Sequence, residues 1–213
     1  MRCLLQIKTL RNVVRSLIGM TTNHATNDPS ATAGAAGDAF AVLDECHRQT
    51  LAAIAKFEAI VARLDGGAAD GQTRALAADV VRHFSTTARQ HHVDEERHIF
   101  PKLLATPSAV LEQAVLRMQE DHHWLEEDWR ELEPQLDAIA CGQSWYDVAV
   151  LREGSAIFAA LSREHIALEE SFLYPEARAR IGAAEELAIG REMAARRRAT
   201  RRAATGDRPR THP

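Results

Sequence analysis

Strand-like runs, in which valine, isoleucine or threonine alternate with polar residues, are missing from this 213-residue chain. Aromatic residues make up only 5% of it, and long stretches contain neither glycine nor proline. This composition favours helices over sheets, because sheets draw on β-branched and aromatic side chains. The sequence therefore predicts an all-α protein, and its length allows a single domain with a sizeable core.

Cysteine and long apolar runs are also scarce. Cys3, Cys46 and Cys141 are odd in number and have no C-x-x-C spacing, which argues against a disulfide framework and against a cysteine-ligated zinc site. Charges at every third or fourth position interrupt residues 1–19, where a secretory signal would need an unbroken apolar run, and no later stretch is apolar enough to span a membrane. We therefore expect a cytoplasmic protein with no membrane span.

The charge of the chain is divided between basic ends and an acidic middle. The net charge is −4 overall, but residues 20–190 carry −14, while residues 1–19 hold four basic and no acidic side chains and residues 191–213 hold eight arginines. No aromatic residues are interleaved with these arginines, so no nucleic-acid partner is expected. We expect flexible basic extensions: residues 1–37 as an N-terminal extension and linker, with a native start suggested at Met20, and residues 181–213 as a helical or disordered tail.

Between the ends, apolar residues recur at spacings of three and four, which predicts four helices. They run from Asp38 to about Leu64, from near Gln72 to about Leu104, from Pro107, and from near Ser144. Pro134 is expected to end or bend the third helix. Short loops between long helices predict an antiparallel up-down-up-down four-helix bundle over residues 38–180.

One motif occurs twice in this region. The copies are His91-x3-Glu95 with Phe100-Pro101, and His165-x3-Glu169 with Tyr174-Pro175. A helix places residues i and i+4 on one face, so each copy aims an imidazole and a carboxylate at the same point. Each copy is also preceded by a histidine at a matched distance: His47 lies 44 positions before His91, and His122 lies 43 positions before His165. The chain therefore consists of two similar halves.

These six residues are candidate metal ligands on the inner faces of the predicted helices: His47, His91, Glu95, His122, His165 and Glu169. In the predicted bundle their depths differ by only about 9 Å. Unpartnered imidazoles and carboxylates would each cost several kcal/mol in an apolar interior, and a metal removes that cost. Four nitrogens and two carboxylates are too many for tetrahedral zinc and too rich in nitrogen for calcium, but divided between two ions they suit non-haem iron.

A second ligand set is possible from the sequence. Glu95-x-x-His98 and Glu120-x-x-His123 both spell the Glu-x-x-His of ferritin-like di-iron sites. This set gives no role to the matched His47 and His165, so we prefer the repeated set. Four neighbours lie one position away from the inner faces and are expected on the outer face or as hydrogen-bond partners of the ligands: His92, Glu96, His123 and Glu170.

Over roughly residues 38–178 the chain resembles the hemerythrin-like HHE cation-binding domains. The resemblance is carried by His91-His92-x2-Glu95-Glu96 with Phe100-Pro101, by His165-Ile166-x2-Glu169-Glu170 with Pro175, and by Asp121-His122-x2-Leu125. It implies an oxo- or hydroxo-bridged centre of two non-haem iron ions. The ligands that it implies are the same six residues: His47, His91, Glu95, His122, His165 and Glu169.

The chain departs from the oxygen-carrying hemerythrins at two positions. Those proteins have a second histidine four residues after the third-helix histidine, where this chain has Glu126, and they end with His-x4-Asp, where this chain has His165-x3-Glu169. The ligand set is closer to that of di-iron proteins that repair iron–sulfur clusters after nitric oxide damage. Those proteins carry a cysteine-bearing N-terminal segment, for which this chain offers only Cys3.

Two functions follow from this resemblance. The first is a di-iron protein that binds or senses oxygen, nitric oxide or a related small molecule at open coordination positions. The alternative is a stress-defence enzyme that reduces nitric oxide or donates iron for iron–sulfur cluster repair. In either case each ligand histidine must be neutral, so affinity for iron should fall below the ordinary histidine pKa of ~6.5. The sequence does not indicate a redox partner.

Overall fold

The computed structural model describes the backbone of residues 38–205 and the side chains of residues 38–200. All regular structure within these residues is helical, as predicted, and forms five successive helices. They are α1 (Ala39–Leu64), α2 (residues 71–104), α3 (Ala109–Ala140), α4 (residues 148–178) and α5 (Ala183–Thr205). None of these helices has a stretch that is both long and apolar enough to cross a membrane.

Short polar side chains set where the helices begin. Asp38 accepts a hydrogen bond from the N–H of Ala41, which confirms the predicted start of α1. Asp70 and Ser108 cap α2 and α3 in the same way. α4 begins at Val148, about one turn after the predicted start, because the carboxylate of Asp147 accepts from the first free N–H groups.

Two predicted helix boundaries lie near prolines. Pro134 was expected to end or bend α3, and the helix does not end there but continues to Ala140. α3 begins at Ala109, two residues after Pro107. A proline inside a helix removes one backbone hydrogen bond, and packing of the flanking Leu132 and Leu136 in the core offsets that loss.

Both copies of the repeated motif contain a π-helical turn, which the sequence analysis did not predict. In α2 it spans Glu95–Ile99 and in α4 Glu169–Leu173. In each, the N–H of the next residue donates to the carbonyl of the glutamate five positions earlier. Each π turn is followed by one aromatic residue and then by a proline. The proline ring crowds the preceding turn and supplies no N–H, and both effects favour a widened turn. The π turn brings the aromatic residue before that proline onto the same face of the helix as the glutamate.

A third π-helical segment, His83–Ala88, lies earlier in α2. The complete order in α2 is Gly71–Arg82 (α), His83–Ala88 (π), Arg89–Asp94 (α), Glu95–Ile99 (π) and Phe100–Leu104 (α). In α4 the order is Val148–Leu168 (α), Glu169–Leu173 (π) and Tyr174–Arg178 (α). Such insertions are frequent at functional sites, because they change which residues share a face.

The core consists of two apolar clusters separated by a polar layer. One cluster contains Phe57, Phe84, Trp129 and Phe158, and the other contains Phe40, Leu103, Met118 and Tyr174. On each of α1 to α4, a buried histidine lies in sequence between the residues of one cluster and those of the other. The polar layer therefore crosses all four helices.

α5 packs against α1 and buries Ile189 and Met193. Arg196 and Arg197 form ion pairs with the buried carboxylate of Asp94, at 2.7 and 3.3 Å. Of the two states expected for the tail, the helical one is found as far as Thr205. The expectations for residues 1–37 and for the chain after residue 205 lie outside the described residues.

Candidate metal centre

The structure brings the six predicted ligand residues together in the polar layer. Each is buried and exposes at most 6% of its surface. They fall into two groups whose potential ligand atoms lie within 4.8 Å of one another: His47, His91, Glu95 and Glu169 in one, and Glu95, His122, His165 and Glu169 in the other. Two pairs of histidines therefore share two glutamates.

The two glutamates differ in how they face the histidine pairs. Glu169 directs one oxygen to each pair: Oε2 lies 3.1 Å from Nε2 of His47, and Oε1 lies 3.0 Å from Nε2 of His165. Glu95 uses a single oxygen, because Oε2 lies 3.4 Å from Nε2 of both His91 and His122. Both carboxylates can therefore contact two ions, in different ways.

Several of these buried atoms have no hydrogen-bond partner. They are Nε2 of His122, Nε2 of His165, Oε2 of Glu95 and both carboxylate oxygens of Glu169. Unsatisfied polar atoms in the interior are rare and destabilising, so a group of them facing one another fits a site for a cation. Nitrogen and carboxylate donors in this proportion fit transition-metal ions such as iron.

Further carboxylates orient two of the histidines from outside. Glu170 Oε1 lies 2.9 Å from Nδ1 of His47, and Glu96 Oε1 lies 2.8 Å from Nδ1 of His122. Metal-binding histidines commonly hold a carboxylate at the second ring nitrogen, which fixes the ring orientation and makes the other nitrogen a better ligand. Two places were expected for Glu96 and Glu170, and both residues lie in the second, as hydrogen-bond partners of candidate ligands.

Apart from Glu95, the residues of the ferritin-like alternative lie outside the two buried groups. His98 faces Arg196 on α5, with Nε2 of the histidine 3.0 Å from a guanidinium nitrogen. Glu120 and His123 are exposed on α3. Only Glu95 of that set lies in the polar layer.

Two residues of the layer were not singled out as interior groups by the sequence analysis. The ring of His92 stacks on that of His122, with centroids 4.0 Å apart, and His92 forms a potential ligand group with His122 and His165. The hydroxyl of Tyr174 donates to Oε1 of Glu95 at 2.6 Å. Tyr174 occupies the same position in the repeat as Phe100, and this was a sequence signal for its interior place. The consecutive histidines His91-His92 gave no such signal for His92.

Protonation compensates charge within the layer. Burial lowers the pKa of His47 and of His165, but neighbouring carboxylates outweigh it: Glu169 and Glu170 raise the pKa of His47 to about 9, and Glu169 and Asp121 raise that of His165 to about 10. Burial, together with the charge of Glu169, raises the pKa of Glu95 to about 7. Burial and neighbouring His47 hold the pKa of His91 well below its ordinary value. Without metal, protonated His47 and His165 therefore balance the carboxylates, and a cation would replace their protons.

A small cavity of about 40 Å³ adjoins the layer. Its walls are mainly apolar, and its lining includes the imidazoles of His47, His91, His92 and His165 and the apolar side chains of Phe84, Leu125, Trp129 and Phe158. Arg89 and Glu126 also line it, are partly exposed, and form an ion pair at 2.7 Å. Glu126, at one of the two departures from the oxygen carriers, therefore pairs with Arg89 and is not part of the buried groups.

The described residues form a helical domain with two histidine pairs and shared carboxylates in its interior, an arrangement that suits cations. Residues 38–177 match the model of the hemerythrin HHE cation binding domain, and the chain belongs to this family. The family binds metal ions, typically iron, and the resemblance seen in the sequence is confirmed. A comparison with curated proteins finds no match. Helix α5 lies beyond the matched residues.

Proposed function

We propose that this chain binds two non-haem iron ions and that the resulting centre binds or senses a small molecule such as oxygen or nitric oxide. One ion would be held by His47 and His91, and the other by His122 and His165. Glu95 and Glu169 would be shared. The observation that carries the proposal is the pair of four-residue groups with two glutamates in common.

The proposal includes an antiparallel four-helix bundle as the scaffold. Along α1 and α3 the residues of the Phe40 cluster precede the histidine and those of the Phe57 cluster follow it, whereas α2 and α4 have the reverse order. This alternation supports an up-down-up-down arrangement of the four helices. It also explains why the histidines, at different depths from their own helix starts, meet in one layer.

The side chains around the layer suit a small neutral ligand. Two nitrogens and shared carboxylate oxygens leave open positions on an octahedral ion, and bound iron would supply reversible coordination there. Phe84, Trp129 and Phe158 make much of the cavity wall apolar, and uncharged diatomic molecules can enter an apolar space without a desolvation cost. Glu96 and Glu170 hold two of the imidazoles in place.

Iron content tests the ligand set. His165→Ala should reduce iron well below two ions per chain, because one imidazole is lost and Glu169 loses its nearest partner. His123→Ala is the matched control on an exposed site, and His98→Ala tests the other set. Metal analysis of anaerobically purified proteins measures the result. Equal iron loss in His123→Ala and His98→Ala, with His165→Ala unaffected, would contradict the assignment.

Exposure to gases tests the function itself. Anaerobically reduced, iron-loaded protein should change its visible spectrum when oxygen or nitric oxide is added, and the change should reverse at least in part when the gas is removed. Sustained consumption of nitric oxide with an electron donor, or reactivation of a damaged iron–sulfur enzyme, would instead support the stress-defence enzyme. No spectral response to either gas would argue against both.

A further inference from the structure

The two halves of the layer place an aromatic ring in the same way. Phe100 and Tyr174 each follow a π turn and precede a proline. The ring of Phe100 stacks on His122, with centroids 5.7 Å apart and planes at 17°, and the ring of Tyr174 stacks on His47, at 5.4 Å and 8°. The equivalent residues therefore differ by one hydroxyl group, which belongs to the second half only.

That hydroxyl is buried and has a defined partner. Tyr174 exposes 2% of its surface, and its O–H donates to Oε1 of Glu95 at 2.6 Å. The same oxygen of Tyr174 lies 3.2 Å from Nε2 of His47. Oε2 of Glu95 has no hydrogen bond and lies between His91 and His122.

Glu169 has no hydroxyl partner of this kind. Its two carboxylate oxygens face different histidine pairs, with Oε2 3.1 Å from Nε2 of His47 and Oε1 3.0 Å from Nε2 of His165. Its place in the repeat is that of Glu95, so the two glutamates would be expected to act alike if the halves were identical. The hydroxyl of Tyr174 makes them different.

We propose that Tyr174 is a positioning residue that restricts Glu95 to one metal-facing oxygen, so that the two shared glutamates bind the ions in different modes. Glu169 would face the two ions with one oxygen each, and Glu95 would face them through Oε2 alone. Because the hydroxyl lies close to both Oε1 of Glu95 and Nε2 of His47, the position that it would keep free of Oε1 belongs to the ion of His47 and His91. This inference rests on the proposed di-iron centre.

Tyr174→Phe tests this role, because it removes the hydroxyl and keeps the ring. The matched control is Tyr146→Phe, which makes the same chemical change at a partly buried tyrosine packed against the Phe57 cluster. Each protein is loaded anaerobically with isotopically enriched iron and compared in three measurements: iron per chain, the Mössbauer spectrum, and the affinity for azide as a probe of open positions. Melting of the metal-free proteins checks that both variants fold.

Tyr174→Phe should keep two ions per chain. Its Mössbauer spectrum should change, because the freed Oε1 of Glu95 can coordinate the ion of His47 and His91. Azide should bind about tenfold more weakly, since it must now displace an oxygen whose former hydrogen bond no longer holds it away. Tyr146→Phe should match the unaltered protein in all three measurements.

A spectrum and azide affinity equal to those of the unaltered protein would overturn the role of Tyr174 while leaving the di-iron centre intact. Iron loss in a folded Tyr174→Phe protein would also overturn it, because the tyrosine would then be a ligand rather than a positioning residue. Failure of the unaltered protein to bind two ions would count against the proposed function instead. The two failures are therefore distinguishable.

Discussion

At the residue scale, the second glutamate of each Glu-Glu pair has a role distinct from the first. Consecutive helical residues point about 100° apart, so Glu95 and Glu169 face the interior while Glu96 and Glu170 point sideways. Each of the latter reaches a histidine on a neighbouring helix. At adjacent positions, the repeated motif therefore provides one candidate ligand and one carboxylate that orients a different candidate ligand.

Removing either orienting carboxylate should weaken metal binding without abolishing it. Glu96→Gln or Glu170→Gln keeps the shape of the side chain but makes the histidine a poorer donor, and iron affinity should fall about 10- to 100-fold. Competition with a chelator measures this change. Glu120→Gln is the control, because Glu120 is exposed and lies two residues before His122. If all three variants hold iron equally well, the contacts of Glu96 and Glu170 do not tune the ligands.

The sequence predicted the meeting of the six buried residues because i,i+4 spacing and matched distances are properties of the chain alone. The assignment of those residues as ligands stays a prediction. The hydrogen bond of Tyr174 to Glu95 joins residues 79 positions apart on different helices. No periodicity within one helix encodes such a contact. The interior position of His92 was missed because its environment depends on how α2 and α3 meet.

At the element scale, capping residues made the start of α1 predictable, whereas the π turns were not. A search for apolar residues at a period of 3.6 assumes a regular helix, and a π turn adds a residue without changing the composition. The aromatic–proline pairs, Phe100-Pro101 and Tyr174-Pro175, were the available signal. They were identified as features of the repeat, but the π turn before each proline was not predicted from them.

Helix α5 illustrates a second limit of sequence reasoning. Its arginine-rich composition is typical of a solvated tail. Its position depends on tertiary contacts with another helix. Arg196 and Arg197 contact Asp94, a carboxylate that is 2% exposed and directly precedes Glu95 in α2. Since a carboxylate buried to this degree needs a partner, α5 is part of the packing around the polar layer.

The double substitution Arg196→Ala/Arg197→Ala should destabilise the protein. It leaves the buried carboxylate of Asp94 without its two cations, and the free energy of unfolding should fall by about 2 kcal/mol, less than for a fully buried pair because Arg196 is partly exposed. Urea denaturation of the metal-free protein measures it. Arg198→Ala, on an exposed position of the same helix, is the control. Equal midpoints for the double variant and the control would show that the Asp94 contacts do not stabilise the fold.

At the scale of the whole molecule, a polar layer lies between two apolar clusters that do not depend on metal. The clusters bury Phe40, Phe57, Phe84 and Leu103 among other residues, so we expect metal-free protein to stay helical at neutral pH. In the layer, protons on His47 and His165 then take the place of cations. Metal and protons compete for the same nitrogens.

This competition determines how stability depends on pH. The pKa values of His47 and His165 are raised to about 9 and about 10, above the unfolded value of ~6.5. The stability that they give to metal-free protein is fully present below pH ~6.5 and is lost as the pH rises through about 9 and about 10. Iron must displace these protons, so its binding strengthens over the same rise. The raised pKa values extend this competition above the ordinary histidine pKa of ~6.5.

The melting temperature of iron-loaded protein should therefore exceed that of metal-free protein by an amount that grows as the pH rises from about 6 toward 9 and shrinks as the pH falls. Paired anaerobic melts of both forms across this range measure the difference. His165→Ala removes one of the raised pKa values and should flatten the dependence, while His123→Ala should leave it unchanged. A difference that is constant from pH 6 to 9 in the unaltered protein would mean that protons on these two histidines do not compete with the metal.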